Sequence, residues 1–491
     1  MVSLRCIQTQ GHPVEKDAMG LATAGKGAYM ELVQNRSQET QSPKLPGQAA
    51  ISRRSFLRLA ALTATGASLG GCLPYNFKAT SAGGNTVQLV YQDWRTDWFP
   101  PMAQTMLDEF HTAHPYIRVF YVPDPEDFTN KMLSDFQAGT APDLFQGCCA
   151  HFPTWAQMGY TLDLRPYVES DLDQKTIADW NPAQYQSLFL PDGRQFGLPK
   201  YHGALALYYN KDLFDEYGVD YPDAGWDHDD YLEAMRRLTQ DRDGNGQTDL
   251  WGSMIDISWE RIQVHVNAWG GHFVDPNDPT KCLMAEPESL AAMEWIRARM
   301  WDDHVMASLL DVKNMSTRQA FITGKVAMVE DGSWALKDIL EGAGFRIGVA
   351  PMPAGPVRRT TLATTDAFGI YAHTQHPDEA WELLKFLVSK EYGQAMARAN
   401  LLQPARASLV EDWANYVRQQ YPDKAKDLDL AAFADGHING YAVTSESFAN
   451  MAEAKSLTYA AWEQIFVLGK APVEQIQETC QQIEAAQENL D

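Results

Sequence analysis

Asp93-Trp94 and Gln146-Gly147 are the first residues in this chain whose types and placing could hold a ligand. Each pair follows a short run that reads as a strand. One is residues 86–91, with Val87, Leu89 and Tyr91 in alternation, and the other is Asp143-Leu144-Phe145. Ligands of helix-covered parallel sheets sit outside the carboxyl ends of the strands. Both pairs therefore fall at one edge, where a carboxylate and an amide offer hydrogen-bonding sites and an indole offers a flat apolar face. Asp93 has a simpler alternative, as the cap of the helix that follows.

A second constellation spans residues 241–249. Asp241, Asp243, Asn245 and Asp249 stand at the first, third, fifth and ninth positions of a calcium-loop pattern, with Gly246 at the sixth and Gln247 at the seventh. The twelfth position, where a bidentate glutamate is expected, holds Gly252. The loop reads either as a weak structural calcium site or as a solvated turn. No other cofactor is called for. His111 and His114 share a helix face without a third ligand nearby. No G-x-S-x-G, H-E-x-x-H, phosphate-loop or dinucleotide fingerprint is present, and no carboxylate pair stands out as that of a glycoside hydrolase. The expectation is a protein that is not an enzyme.

An α/β framework must position these groups. Pro100-Pro101 opens a helix with Ala103, Met106, Leu107 and Phe110 on one face, and Ile117, Val119 and Tyr121 form a second strand. A helix over residues 128–136 precedes the third strand, and this alternation is that of a parallel sheet with covering helices. Pro199 marks a loop carrying Tyr201 and His202. The run 204–209 after it is apolar on both faces, as in a strand covered on both sides. Asn210 then opens a short helix capped by Gly218. Further along, residues 321–334 read as a helix end, a glycine turn, a buried strand and a second glycine turn presenting Trp334. Strands over 345–349 and 367–371 follow. Pro377 opens an amphipathic helix with Ala380, Leu383, Leu384, Leu387 and Val388 on one face. Beyond a break at 402–406 the pattern is helical except for a loop at 435–441.

A chain of 491 residues is too long for one ordinary core, so two lobes are expected. The net charge of −24 argues against nucleic acid as a partner. Ser52-Arg53-Arg54-Ser55-Phe56-Leu57-Arg58 and the small, apolar run 59–71 form a twin-arginine export signal that ends Leu69-Gly70-Gly71-Cys72, which resembles a lipobox. Residues 1–71 are then a disordered extension and a removed signal, residues 72–84 a tether, and Cys72 the lipid anchor at the extracytoplasmic face of a membrane. Of the remaining cysteines, Cys148 and Cys149 are adjacent and Cys282 and Cys480 isolated. No pairing can be read from them, and buried free thiols are expected.

Several segments together resemble the extracellular solute-binding proteins of sugar ABC transporters, the maltose-binding-protein-like group. They are Ala141-Pro-Asp-Leu-Phe; Gly197-Leu-Pro199 with Ala206-Leu-Tyr-Tyr-Asn-Lys-Asp-Leu-Phe214; Trp269-Gly-Gly271; Phe321-x-x-Gly-Lys-Val-Ala-Met328 with Gly332-Ser-Trp334; Pro377-Asp-Glu-Ala-Trp-Glu-Leu-Leu-Lys-Phe-Leu387; and Gly469-Lys-Ala-Pro. The resemblance implies a two-lobed α/β periplasmic-binding-protein fold. The first lobe would be residues 85–200 and 368–402, and the second 201–367 and 403–491. The chain would cross between them near 199–203, 361–367 and 402–406, and an interlobe ligand would close the hinge. A permease of an ABC importer would be the partner, and the chain would act as a monomer.

Sugars present hydroxyls and flat C–H faces, so their binder needs carboxylates, amides and aromatic rings. On this resemblance the ligand set is Asp93, Trp94 and Gln146 from the first lobe, Tyr201 and His202 at the first crossing, Trp269, Trp334 and Asp366 from the second lobe or its edge, and Arg406 at the third crossing. Each has a plainer alternative: tryptophans in the core, His202 bonding the hinge backbone, Arg406 in an ion pair. The position of Asp366 is often small or glycine in such proteins, and a carboxylate there points to a polyhydroxylated, non-anionic ligand. The expected ligand is a neutral sugar, an oligosaccharide or a sugar-derived osmolyte. The alternatives are an extracellular glycan-acting enzyme, or a binder of a phosphorylated polyol, for which only Arg406 and Lys200 offer positive charge.

Overall fold

The structure is a computed structural model and describes residues 86–364 and 366–488; the export signal, Cys72 and the tether lie outside them. Strands β1 (Val87–Asp93), β2 (Ile117–Pro123) and β3 (Leu144–Gly147) are parallel, with β1 central, as the strand–helix alternation predicts. The other strands are β4 (Leu198–Pro199), β5 (Leu205–Asn210), β6 (Trp251–Met254), β7 (Val274–Asp275), β8 (Asp278–Cys282), β9 (Val326–Gly332), β10 (Ile347–Ala350), β11 (Thr361–Leu362), β12 (Ala367–Ile370) and β13 (Ala442–Val443). The first sheet has the order β2-β1-β3-β12-β4. It is mixed, because β12 returns from the other lobe and inserts antiparallel between β3 and β4.

The helix Phe99–Ala113 turns Phe99, Ala103, Met106, Leu107 and Phe110 inward, the face its apolar spacing predicts. They meet Leu383, Leu384 and Leu387 of the helix Pro377–Leu387 on one side of the first sheet. Phe136, Phe145, Phe152, Trp155 and Phe196 fill the other side. The second sheet has the order β10-β5-β9-β6. Every residue of β5 and β9 is buried, as the two-sided apolarity of β5 requires. The two carboxylates of β9 are compensated there: Glu330 meets His265 at 2.9 Å and Asp331 meets Arg318 at 2.9 Å.

Three stretches of backbone run side by side between the sheets. The Lys200 N–H donates to the carbonyl of Asp366 (3.0 Å), that of Thr364 to Gly203 (2.9 Å), and that of His202 to Gln403 (2.9 Å). The side chain of Gln184 donates to the carbonyls of Tyr201 (2.7 Å) and Thr364 (3.0 Å), tying two of these stretches to the first lobe.

Two expectations are corrected. Cys282 and Cys480 are not free thiols. They form a disulfide across a sequence separation of 198, because β8 packs on the helix Gln475–Gln487 and brings their Cα atoms to 5.4 Å. The late loop is also displaced. The helix Ala432–Ile438 runs through most of the stretch expected to be irregular, and residues 439–450, apart from the two-residue strand β13, form the loop instead. Glu446 pins that loop, accepting the backbone N–H groups of Phe273 (2.6 Å) and Val274 (3.0 Å) and the amide of Asn267 (2.9 Å). Such long-range bonds leave no periodicity in the sequence. No described helix is long and apolar enough to cross a membrane.

Candidate functional site

Asp93 ends β1 but is fully buried, and its carboxylate is taken by the Lys200 ammonium, the Tyr91 hydroxyl and the Trp94 N–H (2.7 Å). It does not cap the next helix, which starts after Trp98. Burial pushes the Asp93 carboxyl up and the Lys200 ammonium down, and each resists that push in the other. The pair forms a charged support beneath Trp94, with the Lys200 nitrogen 3.2 Å from the ring centroid. Trp94 itself is half-buried and meets Tyr201 edge-on at 5.4 Å.

Gln146 lies within β3, one residue longer than its predicted role as a strand end allows, and its amide donates to Asp124 (3.0 Å). Its amide oxygen has no partner among the described residues. Asp124 follows β2 and also accepts from Gln92 (3.3 Å); burial and the nearby Asp93 push it up to about 7. Sequence reasoning missed Asp124, although the strand-end rule that selects Asp93 applies equally to it. Asp366 lies on the second crossing next to Tyr201. Burial pushes its carboxyl up to about 6, against the pull of Lys200.

Trp334 follows β9 on a short 3-10 turn. It packs both against the core of the first lobe, to which Trp94 and Tyr201 also belong, and against the small cluster of Leu205, Val264, Met352 and Leu362 in the second. Its six-membered ring lies on Gly332, where a Cβ would overlap it. The Arg261 guanidinium stands 5.2 Å from the ring centroid and pairs with Asp331 at 3.4 Å. From the second lobe Glu260 also approaches, bound by Ser445 (3.3 Å) and Lys455 (3.6 Å). Burial and the Lys455 charge push His151, across the seam, down to about 3, so it is neutral at ordinary pH. Ser447 closes the same seam by donating to the carbonyl of Ala150 (3.3 Å). Nothing local in the sequence marks Glu260, Arg261 or Lys455, because they come from helices whose facing is set by packing.

The remaining predicted residues are engaged elsewhere. Trp269 packs on His228 (4.6 Å) and Trp295 (5.7 Å) within the second lobe. The His202 ring is turned against His437 (3.9 Å), and burial lowers it to about 4. Arg406 donates to the carbonyls of Thr176 (2.5 Å) and Val388 (3.1 Å) and lies 3.7 Å over Trp180, with burial lowering it to about 10. In the calcium-like loop, oxygens of Asp241, Asp243 and Asp249 lie within 4.8 Å of one another. They also accept loop N–H groups, among them Gly246 to Asp241 (2.7 Å) and Arg242 to Asp249 (2.8 Å). The Asn245 amide binds Asp243 (2.9 Å), and Gln247 reaches Asn245 only through its backbone N–H (2.7 Å). Gly252 sits in β6 against the backbone of Met235, with no room for a side chain, so a glutamate could not stand there.

Residues 93–394 match the family described as bacterial extracellular solute-binding protein. A binding protein of Brucella abortus (strain 2308) is 26% identical over 322 residues, 64% of this chain and 74% of that one. The arabinooligosaccharide-binding protein of Halalkalibacterium halodurans is 34% identical over 114 residues, 23% of this chain and 24% of that one. An ABC substrate-binding protein from Listeria monocytogenes, solved in complex with cycloalternan, has the same fold at 21% identity, with a TM-score of 0.69 over 82% of this chain and 98% of that one. With a two-lobed fold, three backbone crossings and a match over more than half its length, the chain belongs to the family of bacterial extracellular solute-binding proteins.

Proposed function

We propose that this protein is the exported substrate-binding component of an ABC importer, holding a neutral sugar, oligosaccharide or sugar-derived osmolyte between its lobes and passing it to a permease. One observation carries the reading. Trp94, Tyr201 and Trp334 pack on one core, with Asp366 beside Tyr201 and with Asp124, which holds Gln146, near the Lys200 that lies under Trp94, while the cations around them are already committed: Lys200 to Asp93, Lys455 to Glu260 and Arg261 to Asp331. Rings and oxygen acceptors remain for hydroxyls and C–H faces. An anionic ligand would have to draw a cation away from a buried carboxylate, which is costly. The sugar ligands named for the Halalkalibacterium and Listeria proteins agree with this choice.

In this reading residues 85–200 and 368–402 form one lobe, residues 201–367 and 403–491 the other, and the monomer is held at the extracytoplasmic face by lipid on Cys72. Calcium in the loop at 241–249 would be structural and weak, with a Kd of about 10⁻⁴ to 10⁻³ M for want of the twelfth-position ligand; a calorimetric titration without heat removes it. The ligand reading is tested by a thermal-shift panel of neutral oligosaccharides, polyols and phosphorylated polyols. A sugar at a hundredfold over its Kd should add about 2.7 kcal/mol to stability. Stabilisation by the phosphorylated compounds alone, or turnover of chromogenic glycosides, would replace it.

A further inference from the structure

Cys148 and Cys149 occupy the loop between β3 and the helix His151–Gln157, on the seam where Ala150 meets Ser447 of the other lobe. Both are partly exposed, and their sulfurs are 2.9 Å apart. Adjacent side chains diverge in a strand and in a helix. Here they converge because Cys149 takes a left-handed backbone, with φ of 56°, that residues with a Cβ adopt at a cost. The pair stands between two parts of the site: the charges of Asp366 and Glu260 act on Cys148, and both sulfurs lie within the field of Lys455. The other two described cysteines are joined to each other, so neither competes for these thiols.

We propose that Cys148 and Cys149 close into a vicinal disulfide in the oxidising surroundings outside the cytoplasm, and that this ring is a redox-controlled wall of the ligand site. The second half rests on the binding function proposed above; the first does not. The oxidant is an exogenous disulfide. One cysteine sulfur attacks it, forming a mixed disulfide and releasing one thiol. The neighbouring sulfur then displaces the second thiol and closes the ring, so the two protons and two electrons lost by the cysteines end on the two thiols of the reduced oxidant. Contact with Cys149 and burial push the Cys148 thiol up. Closure removes two weak S–H donors and leaves an apolar face on the seam.

The test uses the purified full chain, reduced and then incubated with oxidised glutathione, followed by denaturing alkylation and peptide mapping. The peptide carrying Cys148 and Cys149 should take two alkyl groups from the reduced protein and none from the oxidised one, without a glutathione adduct, and reductant should restore both. Two alkylatable thiols after oxidation, a persistent adduct or a disulfide-linked dimer would each overturn the assignment. Titration of the sugar found by thermal shift should give Kd values for the two redox forms that differ by about tenfold or more. The C148A/C149A variant should show no such dependence. Equal affinities with the ring formed would overturn its role in the site. An absence of sugar binding in both forms would instead count against the proposed function and leave the disulfide standing.

Discussion

Replacing Asp366 by asparagine should stabilise the ligand-free protein and weaken its hold on a sugar, and pH separates the two effects. Asp366 is 7% exposed, and burial raises its carboxyl from 3.8 to about 6. At about 1.4 kcal/mol for each tenfold change in proton affinity, keeping it ionised costs about 3 kcal/mol more in the folded chain than in the unfolded one. The folded chain binds more protons than the unfolded chain between about pH 4 and pH 6, so this residue's contribution to stability falls as pH rises through that window and stays low above it. Asparagine has the same shape and carries no charge. The unfolding free energy of D366N should therefore gain on that of the wild type by about 2–3 kcal/mol between pH 4 and pH 7.5. Urea unfolding of both proteins at the two pH values measures this directly. A gap that stays flat would refute the reasoning, because it would mean that Asp366 is hydrated or fully neutralised in solution. At pH 7.5 the same change should raise the Kd for sugar by about ten- to a hundredfold, the worth of a hydrogen bond to a charged acceptor. Unchanged affinity would remove Asp366 from the site.

Lys200→Met should destabilise the protein by about 3–5 kcal/mol, because it strands the buried Asp93 carboxylate; the D93N/K200M double variant should recover much of that in chemical denaturation. Reducing Cys282–Cys480, or replacing both by serine, should cost about 2–4 kcal/mol, seen as a lower midpoint in thermal melts with reductant than without. Gly332→Ala strains no backbone, since its φ is −88°, but it drives a methyl group into the Trp334 ring. It should cost about 1–3 kcal/mol in stability and weaken sugar binding by about tenfold, with a change in tryptophan emission. Wild-type affinity in that variant would show that Trp334 does not touch the ligand.

Part of the candidate site's address was readable along the chain. The carboxyl-edge rule led to Trp94 and Gln146, and a proline before a doubly apolar run located the crossing that carries Tyr201. The same reasoning assigned Asp93 to the ligand because a strand-end carboxylate looks free until its partner is known. That partner, Lys200, comes from more than a hundred residues away. Trp269 and Arg406 are engaged by neighbours for a related reason. An aromatic ring or guanidinium on a loop is available only if nothing packs on it, and His228, Trp295 and Trp180 do. Glu260, Arg261 and Lys455 carry no local sign at all.

By itself the sequence determined what periodicity and local stereochemistry encode. These are the strand–helix alternation of the first lobe, the buried character of β5, the apolar face of the helix Phe99–Ala113, the Gly218 cap and the order of segments that marks the family. Only the tertiary structure decided which charges are spent and which remain. Neutralisation of Asp93 by Lys200, the joining of Cys282 to Cys480 and the placing of the Cys148–Cys149 pair beside Asp366 depend on distances between segments far apart in the chain. Electrostatic and covalent pairing act over a few ångströms in space, and adjacency in sequence does not report that separation.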